Sequence, residues 1–318
     1  MSRYVKIATV APRPPRVPSD IKPQAVVDFM MEFWRGKLGQ VLPDKPDLIV
    51  VPECCDRPAS EGFSLEKRLA CYRQRKDQIQ DFFAQTAREN HSYIVYAVVR
   101  EMADGSWRNS IVLLDRQGDI AGIYNKNHPV MEEEHDKAGI LCGKDAPIIE
   151  CDFGTVAGII CFDLGFAPLL EKYTRAKPDL LIFSSMYHGD AVVQSWWAYS
   201  CRAHFVSAVA GLPSEIRNPY GQVLATTTNY RDYAVGTVNL DCCMAHYDYN
   251  WEKLDALKRK YGAQVTILDP GYFGSVLISS ESDETTATAM VKEFEIELLD
   301  DYLARELARQ EDPANIEK

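Results

Sequence analysis

The amino-acid sequence predicts an α/β protein whose helices and sheets are stacked in layers. Short, almost wholly apolar segments, such as residues 47–52 and 180–185, alternate with longer segments in which apolar residues recur every three or four positions. The short segments are typical of strands buried on both faces, and the longer ones of helices that pack on a sheet. Of the 318 residues, 46% are hydrophobic, which is enough for one large core. This alternation favours a layered sandwich.

The first half of the chain is predicted to contain two helices and five strands. Helix 23–42 carries Val26, Met30 and Trp34 at helical spacing. The long helix 64–90 begins at Ser64, a residue type that caps helices. The strands are predicted at residues 5–10, 47–52, 93–99, 109–115 and 120–126, and the last two form a hairpin around Gly118.

The second half of the chain repeats this pattern. Its helices are predicted at residues 168–176 and 191–203, and its strands at residues 147–151, 155–161, 180–185, 205–210, 214–217, 222–226 and 233–238. Because no glycine- or serine-rich linker interrupts the chain, we expect one domain over residues 1–280.

The remaining residues, 281–318, are predicted to form a C-terminal helical extension. A helix over residues 281–309 would carry apolar residues, among them Met290, Phe294 and Leu303, along one stripe. Such a stripe fits a helix packed on its own domain and equally a helix that packs on a neighbouring subunit. The sequence favours neither arrangement.

Charge and composition exclude several classes of function. The formal net charge of -11 opposes binding to nucleic acid and to anionic membranes. No apolar run is long enough to span a bilayer, and the N-terminus lacks the apolar core of a signal peptide, so we expect a cytoplasmic protein. The nine cysteines form no Cys-x-x-Cys pair, and neither a metal-binding histidine spacing nor a nucleotide-binding glycine motif occurs. No metal or organic cofactor is therefore expected.

Cys161 is the first candidate for chemistry. It ends the apolar strand 155–161 and precedes the helix 168–176, which places it on a sharp turn between strand and helix. Such a turn presents a side chain together with backbone N–H groups to a substrate. A helix N-terminus close to the thiol would favour the thiolate. The alternative is a buried structural cysteine, and position alone does not decide between the two.

Two further ionisable residues lie at strand ends. Glu53 follows the buried strand 47–52, and a carboxylate at the carboxyl end of such a strand is placed to act as a general base. Lys126 ends the hairpin strand 120–126 and could hold a developing oxyanion. Taken singly, each residue is also compatible with an ordinary solvated charge.

Taken together, the segments Val-Pro-Glu53, Tyr-Asn-Lys126-Asn-His-Pro and Ile-Cys161-Phe-Asp-Leu-Gly-Phe resemble the nitrilase superfamily of carbon–nitrogen hydrolases. The resemblance extends over roughly residues 4–240 and includes segments 109–118, 196–203 and 218–224. It implies a four-layer α-β-β-α sandwich for the carbon–nitrogen hydrolase domain, and a homodimer or higher homo-oligomer. It also implies a catalytic Glu53, Lys126 and Cys161. A second glutamate near Lys126 is implied as well, for which Glu134 has the family's spacing and is favoured over Glu132 and Glu133.

The resemblance further implies the reaction. Cys161 would attack an amide carbonyl, the backbone N–H of Phe162 would help to bind the oxyanion, and a thioester would be hydrolysed to release ammonia or an amine. Tyr187 and His188 follow strand 180–185 where substrate-binding residues would lie. The triplet Cys161-Phe162-Asp163 resembles the branches that cleave small amides or N-carbamoyl compounds. A nitrilase acting on C≡N is the alternative enzyme, and a catalytically silent oligomeric scaffold is the alternative of another class.

Two positions depart from the family's pattern. Gly165 stands where the family often has a polar residue, and the segment Arg202-Ala203-His204-Phe205 stands where the family's helix often continues as Arg-Ala-x-Glu-Asn. Both departures lie near the expected pocket. They therefore concern the identity of the small-molecule substrate more than the reaction itself.

Overall fold

Two six-stranded sheets carry the predicted α/β pattern in the computed structural model, which describes residues 1–59, 63–187 and 189–317. The strands in chain order are β1 Tyr4–Val10, β2 Leu48–Val50, β3 Tyr93–Glu101, β4 Trp107–Leu114, β5 Ile120–Asn125, β6 Ile148–Cys151, β7 Gly154–Ile160, β8 Leu180–Ser185, β9 His204–Val209, β10 Glu215–Arg217, β11 Val223–Thr226 and β12 Tyr233–Asn239. The first sheet has the order β12-β1-β2-β3-β4-β5 and the second the order β11-β10-β9-β8-β7-β6. Each predicted strand of this region is thus present, with bounds shifted by at most two residues.

The central strands of both sheets are parallel, and the outer strands fold back. Strands β1, β2 and β3 run in one direction, and β4 and β5 add to them as an antiparallel meander. In the second sheet, β7, β8 and β9 are parallel, with β6 and β10 antiparallel at their flanks. Because β5 reverses twice relative to β3, it points the same way as β2, and their carboxyl ends reach one edge of the sheet.

Five helices cover the outer faces of the two sheets. They are α1 Pro23–Leu38, α2 Leu65–Arg75, α3 Gln78–Asn90, α4 Ala167–Ala176 and α5 Ala191–Cys201. The predicted long helix 64–90 is two helices, because Lys76 adopts the left-handed φ of 46° and ends α2. Ser64 caps α2 as predicted, since its Oγ accepts a hydrogen bond from the backbone N–H of Lys67.

Apolar packing joins the helices to the sheets. Trp34 of α1 and Phe83 of α3 pack against Tyr96 of β3 in one fully buried cluster, and burial of each such side chain contributes roughly 1.5–3 kcal/mol. The inner faces of the two sheets also touch, since Thr9 Oγ1 donates to Ser207 O across the interface at 2.7 Å. Together these contacts make the four layers α-β-β-α that the resemblance implied.

The described chain forms two compact units, Val5–Val238 and a second made of Met1–Tyr4 with Asn239–Lys318. The predicted boundary after residue 280 falls inside the second unit. This unit contains three strands absent from the prediction, in a sheet of the order β13-β15-β14. Its elements are β13 Cys242–His246, α6 Trp251–Tyr261, β14 Val265–Leu268, β15 Ser275–Ser280, α7 Ala287–Glu293 and α8 Leu299–Gln310.

The predicted helix 281–309 is interrupted. Helix α7 ends before Phe294, Glu295 takes the left-handed φ of 51°, and α8 begins at Leu299. The apolar residues of this region divide accordingly: Met290 belongs to the buried core of the second unit, whereas Leu303 of α8 is exposed. Of the helices among the described residues, none combines the length and apolar character needed to cross a membrane.

Candidate active site

Three polar side chains meet at the edge of the first sheet where β2 and β5 end. Glu53 follows β2, Lys126 follows β5, and Asn109 lies near the start of the antiparallel strand β4, which begins at that same edge. The backbone fixes their order, because Lys126 N donates to Asn109 O at 2.8 Å. The sheet topology, rather than any local motif, therefore brings residues 53, 109 and 126 together.

Lys126 is held between two carboxylates. Its Nζ lies 3.0 Å from Glu53 Oε1 and 2.8 Å from Glu134 Oε2, and the side chain is only 2% exposed. Burial alone would lower the pKa of this ammonium group, but the negative charges of Glu53 and Glu134 outweigh burial and raise the pKa well above its usual value. Lys126 is therefore a charged ammonium group that Glu53 and Glu134 hold in a fixed position.

Of the three candidate glutamates, the structure brings Glu134 to Lys126. Glu134 lies on a single π-helical turn, Met131–Asp136, and its carboxylate also accepts hydrogen bonds from Val130 N at 2.7 Å and Asn109 Nδ2 at 2.9 Å. Glu132 and Glu133 point to solvent, where both lie within ion-pair distance of Lys137.

Asn109 was not singled out by sequence reasoning. Its Nδ2 donates to Glu53 Oε1 at 2.7 Å as well as to Glu134, so a single amide bridges the two carboxylates. The remaining oxygen of Glu53 accepts from Met186 N at 3.1 Å. The only sequence signal for Asn109 was its place in the resembling segment 109–118. An asparagine within a strand has no pattern of its own that marks such a role.

Cys161 occupies the turn that follows β7. Its backbone is left-handed, with φ of 46°, a region that L-residues rarely occupy. Asp163 holds this turn, since its buried carboxylate accepts hydrogen bonds from Ile160 N at 3.0 Å, Tyr124 Oη at 2.7 Å and His128 N at 2.8 Å. These bonds fix the conformation of the turn.

The ionised form of the Cys161 thiol is disfavoured by its surroundings. Burial is the main cause that raises its pKa to about 11, and the charge of Glu53 adds to the increase. Lys126 and hydrogen bonds involving Ser185 and the backbone of Met186 lower the pKa, but by less. Desolvation therefore outweighs the interactions that favour the thiolate. A nucleophilic Cys161 needs a base that takes its proton.

The described residues that were predicted to contact substrate are more exposed than Glu53, Lys126 and Cys161. Phe162 is 42% exposed and packs edge-to-face on Phe166 with ring centroids 5.0 Å apart. Tyr187, just beyond β8, is 63% exposed. His188 lies outside the described residues. Within the described chain, no group of three or more His, Cys, Asp or Glu side chains is arranged to hold a metal ion.

Comparison with known proteins identifies the family. The family model for carbon–nitrogen hydrolases matches residues 22–210, and the chain belongs to this family. The omega-amidase NIT2 of Danio rerio is 21% identical over 216 residues, which cover 61% of this chain and 76% of that protein.

Solved structures share the fold. The carbon–nitrogen hydrolase of Helicobacter pylori G27 superposes with a TM-score of 0.61 at 14% identity, covering 81% of this chain and 93% of that one. A mutant of the amidase from Nesterenkonia sp. AN1 gives a TM-score of 0.58 at 16% identity, with 82% and 97% of the two chains covered. In that amidase the acetamide moiety of fluoroacetamide is added covalently at the active-site cysteine.

Proposed function

We propose that the protein hydrolyses the C–N bond of a small amide or N-carbamoyl compound through a thioester on Cys161. One observation carries the proposal. The carboxylate of Glu53 contacts Lys126 at 3.0 Å and acts electrostatically on the Cys161 thiol, so base, cation and nucleophile share one buried site. The similarity to an omega-amidase and an amidase supports the amide as the substrate class.

In the first half of the reaction, Glu53 accepts the proton of Cys161 while the sulfur attacks the carbonyl carbon. The Lys126 ammonium and the backbone N–H of Phe162 stabilise the oxyanion, a type of interaction worth about 10²–10³ in rate per donor. As the tetrahedral intermediate collapses, Glu53 returns the proton to the leaving nitrogen. The products of this half are ammonia or an amine and the acyl thioester.

In the second half, the same carboxylate activates water. Glu53 removes a proton from the attacking water, the C–S bond breaks, and the proton passes to the departing sulfur to restore the thiol. Glu134 and Asn109 do not take part in proton transfer. They hold Lys126 and Glu53 in place through bonds of 2.7–2.9 Å.

Self-association is part of the proposal. Helix α5 presents two large apolar side chains to solvent, Val192 and Trp196, which are 78% and 58% exposed. Burial of such residues against a second copy would remove apolar surface from water. Light scattering coupled to gel filtration measures the mass directly. A monomer at micromolar concentration would contradict this part.

The reaction is tested by measuring ammonia release from three substrate panels: simple amides, N-carbamoyl amino acids and nitriles, with Cys161→Ala as control. We expect turnover of amides or N-carbamoyl compounds that is lost in the variant. Turnover of nitriles alone would establish the nitrilase alternative. Absence of turnover, together with a Cys161 that resists iodoacetamide even as the pH is raised toward the pKa of its thiol, would favour the silent scaffold.

A further inference from the structure

A groove of about 1110 Å³ opens at the edge of the sandwich where β1 and β9 end. Its walls include Arg13, which follows β1, and Leu212, which follows β9. These two strands face each other across the interface between the sheets, since Thr9 of β1 bonds to Ser207 of β9. Ligands of α/β proteins bind in crevices outside the carboxyl ends of parallel strands. The groove therefore lies where this class of fold binds small molecules, and it is large enough to hold one.

The groove lies beside the candidate active site and does not include it. Pro12 and Phe33 line both the groove and a small cavity that Glu53 also lines. Glu53, Lys126 and Cys161 are not among the described residues that line the groove. A molecule bound in the groove would therefore contact Pro12 and Phe33 rather than the reacting atoms.

The loop between β11 and β12, which forms one side of the groove, is anchored at both ends. Thr227 N donates to Ser214 O at 2.9 Å, and Ala11 N donates to Asp232 O at 2.7 Å. The Asp232 carboxylate also forms an ion pair with Lys37 of α1. The groove is thus formed by the protein alone, so that a ligand does not have to order this loop when it binds.

The charge of the groove is opposite to that of the whole chain. The described residues that line it include three cations, Arg13, Lys37 and Arg231, and a single acid, Asp232. Because Asp232 pairs with Lys37, no acid that lines the groove neutralises the two arginines. The chain has a formal net charge of -11, so this positive surface is local. It would attract small anions.

Gly211 determines where the Arg13 side chain can lie. Its backbone is left-handed, with φ of 70°, and its N–H donates to Ala11 O at 3.0 Å. A Cβ at this position would collide with Arg13 Cγ, so glycine leaves room for the aliphatic part of the arginine. Arg13 therefore packs along the loop after β9, which limits the positions that its guanidinium group can take.

Aromatic rings lie in the same groove as the cations. Phe33 and Tyr233 pack against the buried core beneath α1, and the guanidinium carbon of Arg231 lies 5.9 Å from the centre of the Tyr233 ring. Tyr230 is 90% exposed, and its backbone N–H donates to Thr228 Oγ1 at 3.2 Å in a turn of the loop. An exposed tyrosine provides a face on which a flat ring can stack.

The amounts of charge and ring surface indicate the class of ligand. A phosphate monoester carries a charge of about -1.5 to -2 at neutral pH, which two arginines match. Guanidinium groups also bind phosphate oxygens in two-point contact. The amide groups of Gln40 and Asn229, which line the groove, can form hydrogen bonds with the edge of a polar ring.

We propose that this groove is a binding site for a nucleoside monophosphate or a similar phosphate ester that carries a flat ring. Arg13 and Arg231 bind the phosphate group, and Tyr230 stacks on the ring. The site is separate from the proposed site of amide hydrolysis, and the ligand is bound there without being hydrolysed.

Isothermal titration calorimetry on the unmodified protein tests the site with AMP, GMP, CMP and UMP. Adenosine keeps the ring and lacks the phosphate, whereas ribose 5-phosphate keeps the phosphate and lacks the ring. We expect at least one nucleotide to bind about 10- to 100-fold more tightly than its nucleoside, as for charge-assisted hydrogen bonds. Ribose 5-phosphate should bind more weakly than the nucleotide, because it cannot stack on Tyr230.

Substitutions in the groove locate the binding. Arg13→Met and Arg231→Met should each raise the Kd of the nucleotide by about 10- to 100-fold. Tyr230→Ala should raise it by about 5- to 100-fold and should leave the Kd of ribose 5-phosphate unchanged. All three side chains are exposed, so each variant should keep the thermal stability of the unmodified protein. Arg175→Met, which removes an exposed arginine of α4, is the matched control and should bind as the unmodified protein does.

Several results would overturn the site. Failure of all four nucleotides to bind with a Kd below about 1 mM would do so. Equal Kd values for nucleotide and nucleoside, or for the unmodified protein and both arginine variants, would contradict the role of the cations. Competition between propanamide and the nucleotide would mean that the groove belongs to the hydrolytic site.

The binding experiment does not depend on the proposed reaction. Cys161→Ala, which should abolish turnover, should bind the nucleotide as tightly as the unmodified protein. A loss of binding in this variant would contradict a separate site. If no amide were hydrolysed while the nucleotide bound through Arg13 and Arg231, the proposed reaction would be wrong and the groove site would stand.

Discussion

The turns that follow β2 and β7 share an unusual backbone conformation but differ in their surroundings. Each contains a buried cysteine in the left-handed region, Cys54 with φ of 50° and Cys161 with φ of 46°. Both side chains are 5% exposed, and both turns lie at the carboxyl end of a parallel strand. Burial and backbone conformation therefore do not distinguish Cys161, the proposed nucleophile, from Cys54.

The surroundings of the two thiols make the difference. Around Cys54, the acids Glu53, Asp56 and Glu134 add to the effect of burial, although Arg57 opposes them, and the pKa rises to about 12. This thiol packs with Tyr72 and Trp107 in an apolar cluster. The Cys161 thiol instead has the Lys126 cation and hydrogen-bonding partners that lower its pKa. Neighbouring charges and hydrogen-bond donors, rather than burial, thus distinguish the proposed nucleophile Cys161 from Cys54.

Removal of each thiol provides the largest contrast. Cys161→Ala should reduce kcat by at least about 10³-fold because no other group can form the thioester. Cys54→Ala should retain most of the turnover, since only a packed side chain is lost. Steady-state ammonia release measures both. Comparable losses in the two variants would refute the distinction between the turns.

Asp163 and Arg75, which hold the β7 and β2 turns, should both contribute to stability but should differ in their effect on kcat. Asp163→Ala removes the acceptor through which Tyr124, His128 and Ile160 hold the β7 turn, and it should cost about 3 kcal/mol of unfolding free energy, measured by urea denaturation. Arg75→Met leaves Asp56 of the β2 turn buried without its partner and should cost about as much. We expect Asp163→Ala to lower kcat far more than Arg75→Met, because it releases Cys161.

A surface pair provides the control for these stability measurements. Arg73→Met breaks the exposed ion pair with Glu101 and should change the unfolding free energy by less than about 1 kcal/mol. If Arg73→Met lowered the unfolding free energy as much as Arg75→Met, burial would not be the reason for the stability that the Arg75–Asp56 pair contributes.

The smallest expected effect concerns the reactivity of the Cys161 thiol. Because its pKa is raised to about 11, alkylation by iodoacetamide should be slow at neutral pH and should accelerate as the pH rises toward that value. Glu53→Gln removes a negative charge, lowers the pKa and should speed alkylation at pH 7.5, by about tenfold for each unit of decrease. Lys126→Met removes a positive charge and should slow it.

Peptide mass spectrometry at Cys161 separates this reaction from the other eight cysteines. Glu53→Gln should alkylate faster while it loses hydrolysis, a combination that misfolding alone would not give at Cys161. Slower alkylation in Glu53→Gln than in the unmodified protein would show that the carboxylate does not control the thiol as proposed.

The sequence by itself predicted the layered α/β fold and three residues of the candidate site, Glu53, Lys126 and Cys161. Strands that are buried on both faces consist of almost continuous apolar residues, so the strands of both sheets could be predicted with small errors in length. Glu53 and Cys161 follow buried strands, β2 of the first sheet and β7 of the second, whereas Lys126 follows β5, a partly exposed edge strand. The carboxyl ends of β2 and β5 lie at one edge of the first sheet, so the positions of Glu53 and Lys126 at strand ends predicted that these two residues lie close together.

The tertiary structure decided the rest, because those features depend on contacts between segments far apart in sequence. The spacing of the resembling family favoured Glu134 over Glu132 and Glu133, but only the folded π-helical turn shows that the Glu134 carboxylate reaches Lys126. The break at Lys76 and the sheet of the second unit are likewise set by packing rather than by local propensity.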